Sequence, residues 1–185
     1  MSDLLQQMME TGLIQFGRFP RNGVSVPVQF HLDMLASYPD VLAATVAQLT
    51  HSLSPVDRLV CTSDAVPLGV ALALKTGIPL VYSRGGEQEP AHDLVGAYDI
   101  GHPAVFVTNV AGMTDHSVLL NTVRRVGLDV RSMIALVDLG APSELPITAL
   151  FRLIDIVDLL LQHDLLPKGQ AHTVKEWLEA HNLPN

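Results

Sequence analysis

The chain has 185 residues, 48% hydrophobic and only 16% charged, which gives one domain with a sizeable core and excludes a disordered chain. Its formal net charge of −8 with His neutral argues against nucleic acid and acidic membrane surfaces as partners, because binding to them rests on clustered Lys and Arg. No apolar run reaches the ~20 residues of a membrane helix, and residues 1–10 lack the basic start and cleavage site of a signal peptide, so a cytoplasmic protein is expected.

In chain order, residues 4–10 predict a short helix. Gly23 opens an apolar stretch, residues 24–30, suited to an edge strand because Pro27 cannot donate to a sheet ladder. Pro39 begins an amphipathic helix over residues 41–51, with Val41, Leu42, Thr45, Val46 and Leu49 on its apolar stripe. Residues 58–62 form a β-rich run. Cys61 lies inside it; as the single cysteine it excludes an internal disulfide and any multi-cysteine metal site, and its apolar neighbours predict a buried thiol.

A helix over residues 66–75 ends at Thr76-Gly77, and residues 79–82 make a second strand. A polar, Gly-rich stretch fills residues 83–103. Residues 104–108 are a third strand, 117–126 a helix ending at Gly127, and 130–137 a fourth strand. Residues 147–153 suggest another strand, and residues 154–162 and 174–180 two further helices.

Strands alternating with helical segments of about ten residues predict an α/β fold, an open and mostly parallel sheet flanked by helices with right-handed crossovers. Neither a repeat nor a linker interrupts residues 1–185. In an open parallel sheet ligands bind beyond the carboxyl ends of the strands. That directs attention to residues 63–66, 83–103 and 109–116.

Those loops and their flanks carry a family resemblance. The fragments are residues 12–19 with Arg21-Asn22-Gly23, then residues 66–73, 78–84, 94–96, 104–110 and 150–153. Together and in this order they resemble the orotate phosphoribosyltransferases, a group of type I phosphoribosyltransferases. The resemblance implies a single phosphoribosyltransferase-like domain over residues 1–185. It also implies a small N-terminal hood from about residues 1–35 plus C-terminal elements. A homodimer is implied as well, with apolar residues around 66–74 and Val81 at the interface and the loop after Arg84 reaching into the neighbouring site. The family reaction, in pyrimidine biosynthesis, moves the phosphoribosyl group of phosphoribosyl pyrophosphate (PRPP) to orotate. It uses Mg2+, cationic side chains and backbone amides that cradle phosphates.

Several positions depart from the family pattern. Thr108 and Asn109 stand where two adjacent acids meet the ribose hydroxyls; both can still hydrogen-bond a hydroxyl, without charge. The phosphate loop, residues 111–117, keeps Gly112 but not the paired glycines, and carries Thr114, Asp115 and Ser117. Asp115 is either an N-cap of the next helix or a carboxylate occupying the anion site. Ser63 and Asp64 sit in the pyrophosphate loop, and Asp64 has the same two readings. In the catalytic loop Arg84 is kept, Gly85, Gly86 and Gln88 replace lysines, and Glu87 and Glu89 have entered. His92 stands in for the loop histidine only by a shift of register. Arg21, close to the family lysine, could meet a phosphate. A close like-charge pair is worth ~1 kcal/mol in water and about 4 kcal/mol at an effective dielectric of ~20.

Three functions follow. The favoured one is a family member without phosphoribosyl transfer, kept as a structural, regulatory or ligand-binding protein with a small molecule in the vestigial nucleotide site. The alternative is an active enzyme converting orotate, or a related base, and PRPP with Mg2+, using Arg21, Asn109, Thr114 and Arg84, with His92 beside Arg84. The third is a metal or hydrolytic site from His92, Asp93, Asp115 and His116, for which there is no ligand motif.

Overall fold

The computed structural model describes residues 3–21, 23–85 and 93–181. Helix α1 (Asp3–Glu10) turns Leu4, Leu5 and Met8 inward, Leu4 and Met8 one turn apart on the same face. Strands β1 (Ile14–Arg21) and β2 (Val24–Phe30) then pair antiparallel as a two-stranded ribbon, from Ile14 opposite Phe30 to Arg21 opposite Val24. β1 is a strand the sequence conceals, because Gly17 and Pro20 break its alternation. The register slips between Phe16 and Phe19, and Pro27 falls opposite that slip, where no ladder donor is needed. After a 3-10 segment (Leu32–Ser37), helix α2 (Pro39–Thr50) buries Val41, Thr45, Val46 and Leu49, the expected stripe.

The main sheet has six strands in the order β5-β4-β3-β6-β7-β8. They are β3 (Arg58–Cys61), β4 (Leu80–Ser83), β5 (Leu94–Val95), β6 (Pro103–Ala111), β7 (Asp129–Asp138) and β8 (Ile147–Arg152). All neighbours are parallel except β5, which runs antiparallel to β4 along one edge. The four strands expected to be adjacent and parallel are so. Helices α3 (Val66–Thr76), α4 (Ser117–Arg125), α5 (Leu153–Gln162) and α6 (Lys168–His181) complete the chain. α3 stops at Gly77, whose left-handed φ of 73° is the turn only glycine makes cheaply.

Side chains alternate across the sheet, so β6 and β7 feed two cores. Val105, Val107, Ile134 and Leu136 face the core shared with α1, α2, α3, α5 and α6. Phe106, Ala104, Met133 and Ala135 face the other, with Leu120 and Val123 of α4. Burial on both faces explains why these strands read as unbroken apolar runs. Cys61 is fully buried, and burial pushes its thiol up to about 12, with the nearby Asp64 charge adding to the shift.

Three expectations need correction. β6 runs past residue 108, pairing Val110 with Val137 and Ala111 with Asp138, so Asn109 lies in the strand and not in a loop. The stretch after β4 holds a short strand, β5, in which Leu94 and Val95 pair with Ser83 and Tyr82 at the edge of the sheet. Val81 is fully buried between β3 and the second core, so it cannot supply an interface; on α3 the exposed apolar side chains are Val70 and Leu74. Among the described residues no helix is long and apolar enough to cross a membrane.

Candidate functional site

The β1–β2 ribbon, held from behind by α6, hangs over the carboxyl ends of β3, β4 and β6. Between them lies a cleft of about 550 Å³. The ribbon supplies an apolar wall of Phe19, Val26, Val28 and Phe30. The strand ends supply a polar floor of Thr62, Ser63, Asp64, Thr108, Asn109 and His116. Placement at this end of the sheet follows the general rule for open α/β folds.

Thr108 and Asn109 are neighbours on a strand, so they point to opposite sides and acquire different partners. The Thr108 hydroxyl lies 3.2 Å from Nε2 of His116, whose ring tilts against Phe106 at 5.4 Å between centroids. Burial holds the His116 pKa below its ordinary value, against the opposing pull of the Asp64 and Asp115 charges. Its imidazole is therefore neutral at pH 7. Asn109, only 3% exposed, donates its side-chain amide to the backbone carbonyl of Asp64 at 2.8 Å and to the Asp64 carboxylate at 3.2 Å. Asn109 Oδ1 and Thr62 Oγ1 are buried without a hydrogen-bond partner among the described residues.

Asp64 is thus not a helix cap. Ala65 occupies the N-cap of α3 and there is no side-chain cap there, because Asp64 sits in a 3-10 turn (Ser63–Ala65) and is bound to β6 instead. Asp115 does act locally at the start of α4. Its carboxylate accepts the Ser117 N–H at 2.8 Å and the Ser117 hydroxyl at 2.9 Å. Those bonds, the N–H first, hold its carboxyl below the usual range.

The remaining expected positions divide. Arg21 lines the cleft and reaches across to Met113, Nη1 to Sδ at 2.7 Å, and Thr114 lines it too. Gly112, Asp115 and Ser117 instead line a second cavity of about 430 Å³ on the far side of the phosphate-loop segment, against residues 141–147. Gly112 is required there: its φ is +84°, and a Cβ would meet Ala141 Cβ at 2.8 Å.

Arg84 is exposed and does not line the cleft. Its segment begins at a tied neck, where the Ser83 hydroxyl donates to the Asp93 carboxylate and the Gly85 N–H approaches both Ser83 Oγ at 3.0 Å and Asp93 Oδ2 at 3.2 Å. Gly86, Glu87, Gln88, Glu89 and His92 lie outside the described residues. Asp93 lies at this neck and Asp115 just before α4, and no group of three His, Cys, Asp or Glu that could hold a metal occurs among the described residues.

Sequence reasoning missed the apolar wall and Asp33, and it named His116 only for a metal or hydrolytic site, not for the floor of this cleft. Phe19 and Phe30 were visible as aromatic residues flanking Gly23, a spacing that a hairpin would have explained.

No protein-family model matches the sequence. Among solved structures, UMP synthase of Leishmania donovani superposes with a TM-score of 0.77 at 23% identity, over 96% of this chain but 42% of that one. The chain thus spans less than half of that protein's length. The orotate phosphoribosyltransferase of Francisella tularensis gives a TM-score of 0.70 at 14% identity, over 97% of this chain and 96% of that one. That of Aeropyrum pernix gives 0.69 at 18% identity, over 86% and 98%. The chain has the type I phosphoribosyltransferase fold, in the form taken by the orotate phosphoribosyltransferases.

Proposed function

We propose that this chain is an orotate phosphoribosyltransferase-like protein that holds a small molecule in its cleft and does not transfer a phosphoribosyl group. The observation that carries the proposal is the bond from Asn109 to Asp64. Phosphoribosyl transfer develops positive charge on the sugar and negative charge on the leaving pyrophosphate, and catalysis means meeting both with fixed opposite charge. Asn109 and Thr108 bring no charge to the sugar, and both are engaged, with Asp64 and His116. Where a phosphate would need cations, the cleft presents the carboxylates of Asp33 and Asp64. Arg21 is the single Lys or Arg among its described lining residues.

The Mg2+ that such chemistry uses would find no carboxylate at Thr108 and Asn109, the end of β6. The hard ion prefers carboxylates arranged octahedrally together with substrate phosphates, and the end of β6 offers an amide and an occupied hydroxyl. The alternative, an active enzyme converting orotate or a related base, draws support from Arg21 and Thr114 at the cleft.

The same proposal includes a cytoplasmic homodimer. Val70 and Leu74, 43% and 83% exposed on α3, support pairing through that helix. A stable pair would bury at least ~1,000 Å² in total.

The test is an assay with orotate, PRPP and Mg2+ beside a known active enzyme of the family. Turnover at background is expected. Turnover within about a hundredfold of that enzyme would exceed what one or two lost interactions leave behind, and would establish the alternative.

A further inference from the structure

We infer that the cleft selects a small organic cation, with N–H donors on a charged head and an apolar body behind it. The inference rests on the non-catalytic reading of the same cleft and names the class of molecule it takes.

The floor asks for donors. The Asn109 amide nitrogen is committed to Asp64, so the polar atom Asn109 has left to offer is Oδ1, an acceptor. That oxygen has no partner although Asn109 is 3% exposed, and Thr62, 5% exposed, brings a second unpartnered oxygen to the same floor. Buried oxygens without partners are rare because they are costly, and a ligand N–H that reaches them removes the penalty.

The charge agrees. Asp64 lies in the 3-10 turn after β3 and Asp33 in the 3-10 segment after β2; the two segments pack together and both carboxylates line the cleft. Among the described residues neither carboxylate is in an ion pair. Arg21 makes its hydrogen bond to the Met113 sulfur and to neither acid, and burial disfavours the charged form of His116, so two carboxylates against one guanidinium leave the described lining net negative. A phosphate, anionic and acceptor-only, meets like charge and the wrong hydrogen-bond polarity. An ammonium, amidinium or guanidinium reverses both mismatches.

The wall accounts for the body. Phe19, Val26, Val28 and Phe30 face the acids across the cleft, and apolar walls with a few convergent polar groups are the usual build of a small-molecule site. Aromatic rings also tolerate a cation against their faces.

The test is calorimetric titration of the full chain with benzamidine, benzamide and benzoate, which share a ring and differ in head charge. PRPP with Mg2+, and MgCl2 alone, are titrated alongside. Benzamidine should bind at least roughly tenfold tighter than benzamide, with no binding of benzoate. Asp33→Asn and Asp64→Asn should each weaken benzamidine roughly threefold to tenfold, the range that exposed charges give. Among the described residues Asp33 makes no side-chain hydrogen bond or ion pair, so D33N keeps the test valid if D64N unfolds. Equal binding of benzamidine and benzamide, or no binding of either, overturns the inference. So does binding that D33N leaves unchanged, or MgCl2 displacing benzamidine from the floor. Background transfer with no benzamidine binding sinks this inference alone; tight PRPP binding sinks the anion-repulsion argument beneath both.

Discussion

Asn109 and Asp64, 45 residues apart, are joined by the Asn109 side-chain amide, which reaches the Asp64 carbonyl at 2.8 Å and its carboxylate at 3.2 Å. The bond ties the end of β6 to the turn after β3, two strand ends that meet at the floor of the cleft. It also fixes the direction of the amide, since only the nitrogen can serve an acceptor pair. An aspartate at position 109 would be a poor neighbour for Asp64. That makes the amide a structural choice as well as a chemical one.

The consequence is measurable. Asn109→Asp should destabilise the protein by ~3–5 kcal/mol at pH 8, combining a lost donor with a like-charge pair at low exposure. The introduced carboxyl would have a folded pKa above its unfolded value, so the deficit is present above that folded pKa. It shrinks as pH falls through it, because the folded state then binds the extra proton. Urea unfolding of both proteins at pH 8 and pH 5 checks this. A variant as stable as the parent at pH 8 would show that the amide is not holding the two segments.

How much of this was legible in sequence follows from where the signals are local. β6 and β7 were readable because Val, Ile and Phe run through strands buried on both faces. β1 was not, since Gly17, Arg18 and Pro20 are pairing-poor residues that only a ribbon with free edges tolerates. Asn109 looked like the first residue of a loop because asparagine favours turns, yet the ladder continues to Ala111. The motif comparison brought Arg21, Ser63, Asp64, Thr108, Asn109 and Thr114 to one cleft. Arg84 lies exposed outside that cleft, and Gly112, Asp115 and Ser117 line the second cavity, because the side of a loop that each residue faces is not written in the motif. Asp64 has a cap's sequence position and a long-range partner, and no local pattern separates the two.

A second prediction concerns the packing of α3 on the sheet. A Cβ built on Gly69 would lie 2.9 Å from Cys61 Sγ and 3.0 Å from Leu80 Cδ1. Gly69→Ala gains up to ~1 kcal/mol of helix propensity but overpacks a filled core, which typically costs about 1–3 kcal/mol. The clash should win, for a net loss of ~1 kcal/mol. Cys61→Ala removes the sulfur, so the double variant should lose less than the two single losses added. A thermal melt of the four proteins decides it. Strict additivity would mean that Sγ is not what Gly69 accommodates.

A third follows from the same thiol. With its pKa near 12 and no exposed surface, Cys61 has almost no thiolate at pH 8. Ellman's reagent should label the native protein at the rate of unfolding and label the urea-unfolded chain at once. Stoichiometric labelling of the native protein within seconds would contradict the burial that shapes β3.

The last prediction reads the cleft floor through His116. Burial lowers its pKa, and the Asp64 and Asp115 charges oppose the shift without reversing it. Its imidazole should therefore titrate below 6.5, the ordinary histidine value, when followed by the ring proton resonances. The sign for stability follows. A depressed folded pKa means the unfolded chain binds the proton more readily, so this group's contribution is complete above about pH 6.5 and is lost as pH falls through the folded pKa. His116→Gln keeps a polar group within reach of Thr108 but cannot titrate, so the stability loss between pH 7 and pH 5 should be smaller in that variant. Asp64→Asn should lower the His116 midpoint further, since it removes a charge that favours the imidazolium. A midpoint that rises in D64N would mean that the Asp64 charge does not favour the imidazolium, and one at or above 6.5 in the parent would mean that the carboxylates and not burial govern the ring. In that case His116 would be charged near neutrality, and the cleft would be less hospitable to a cation.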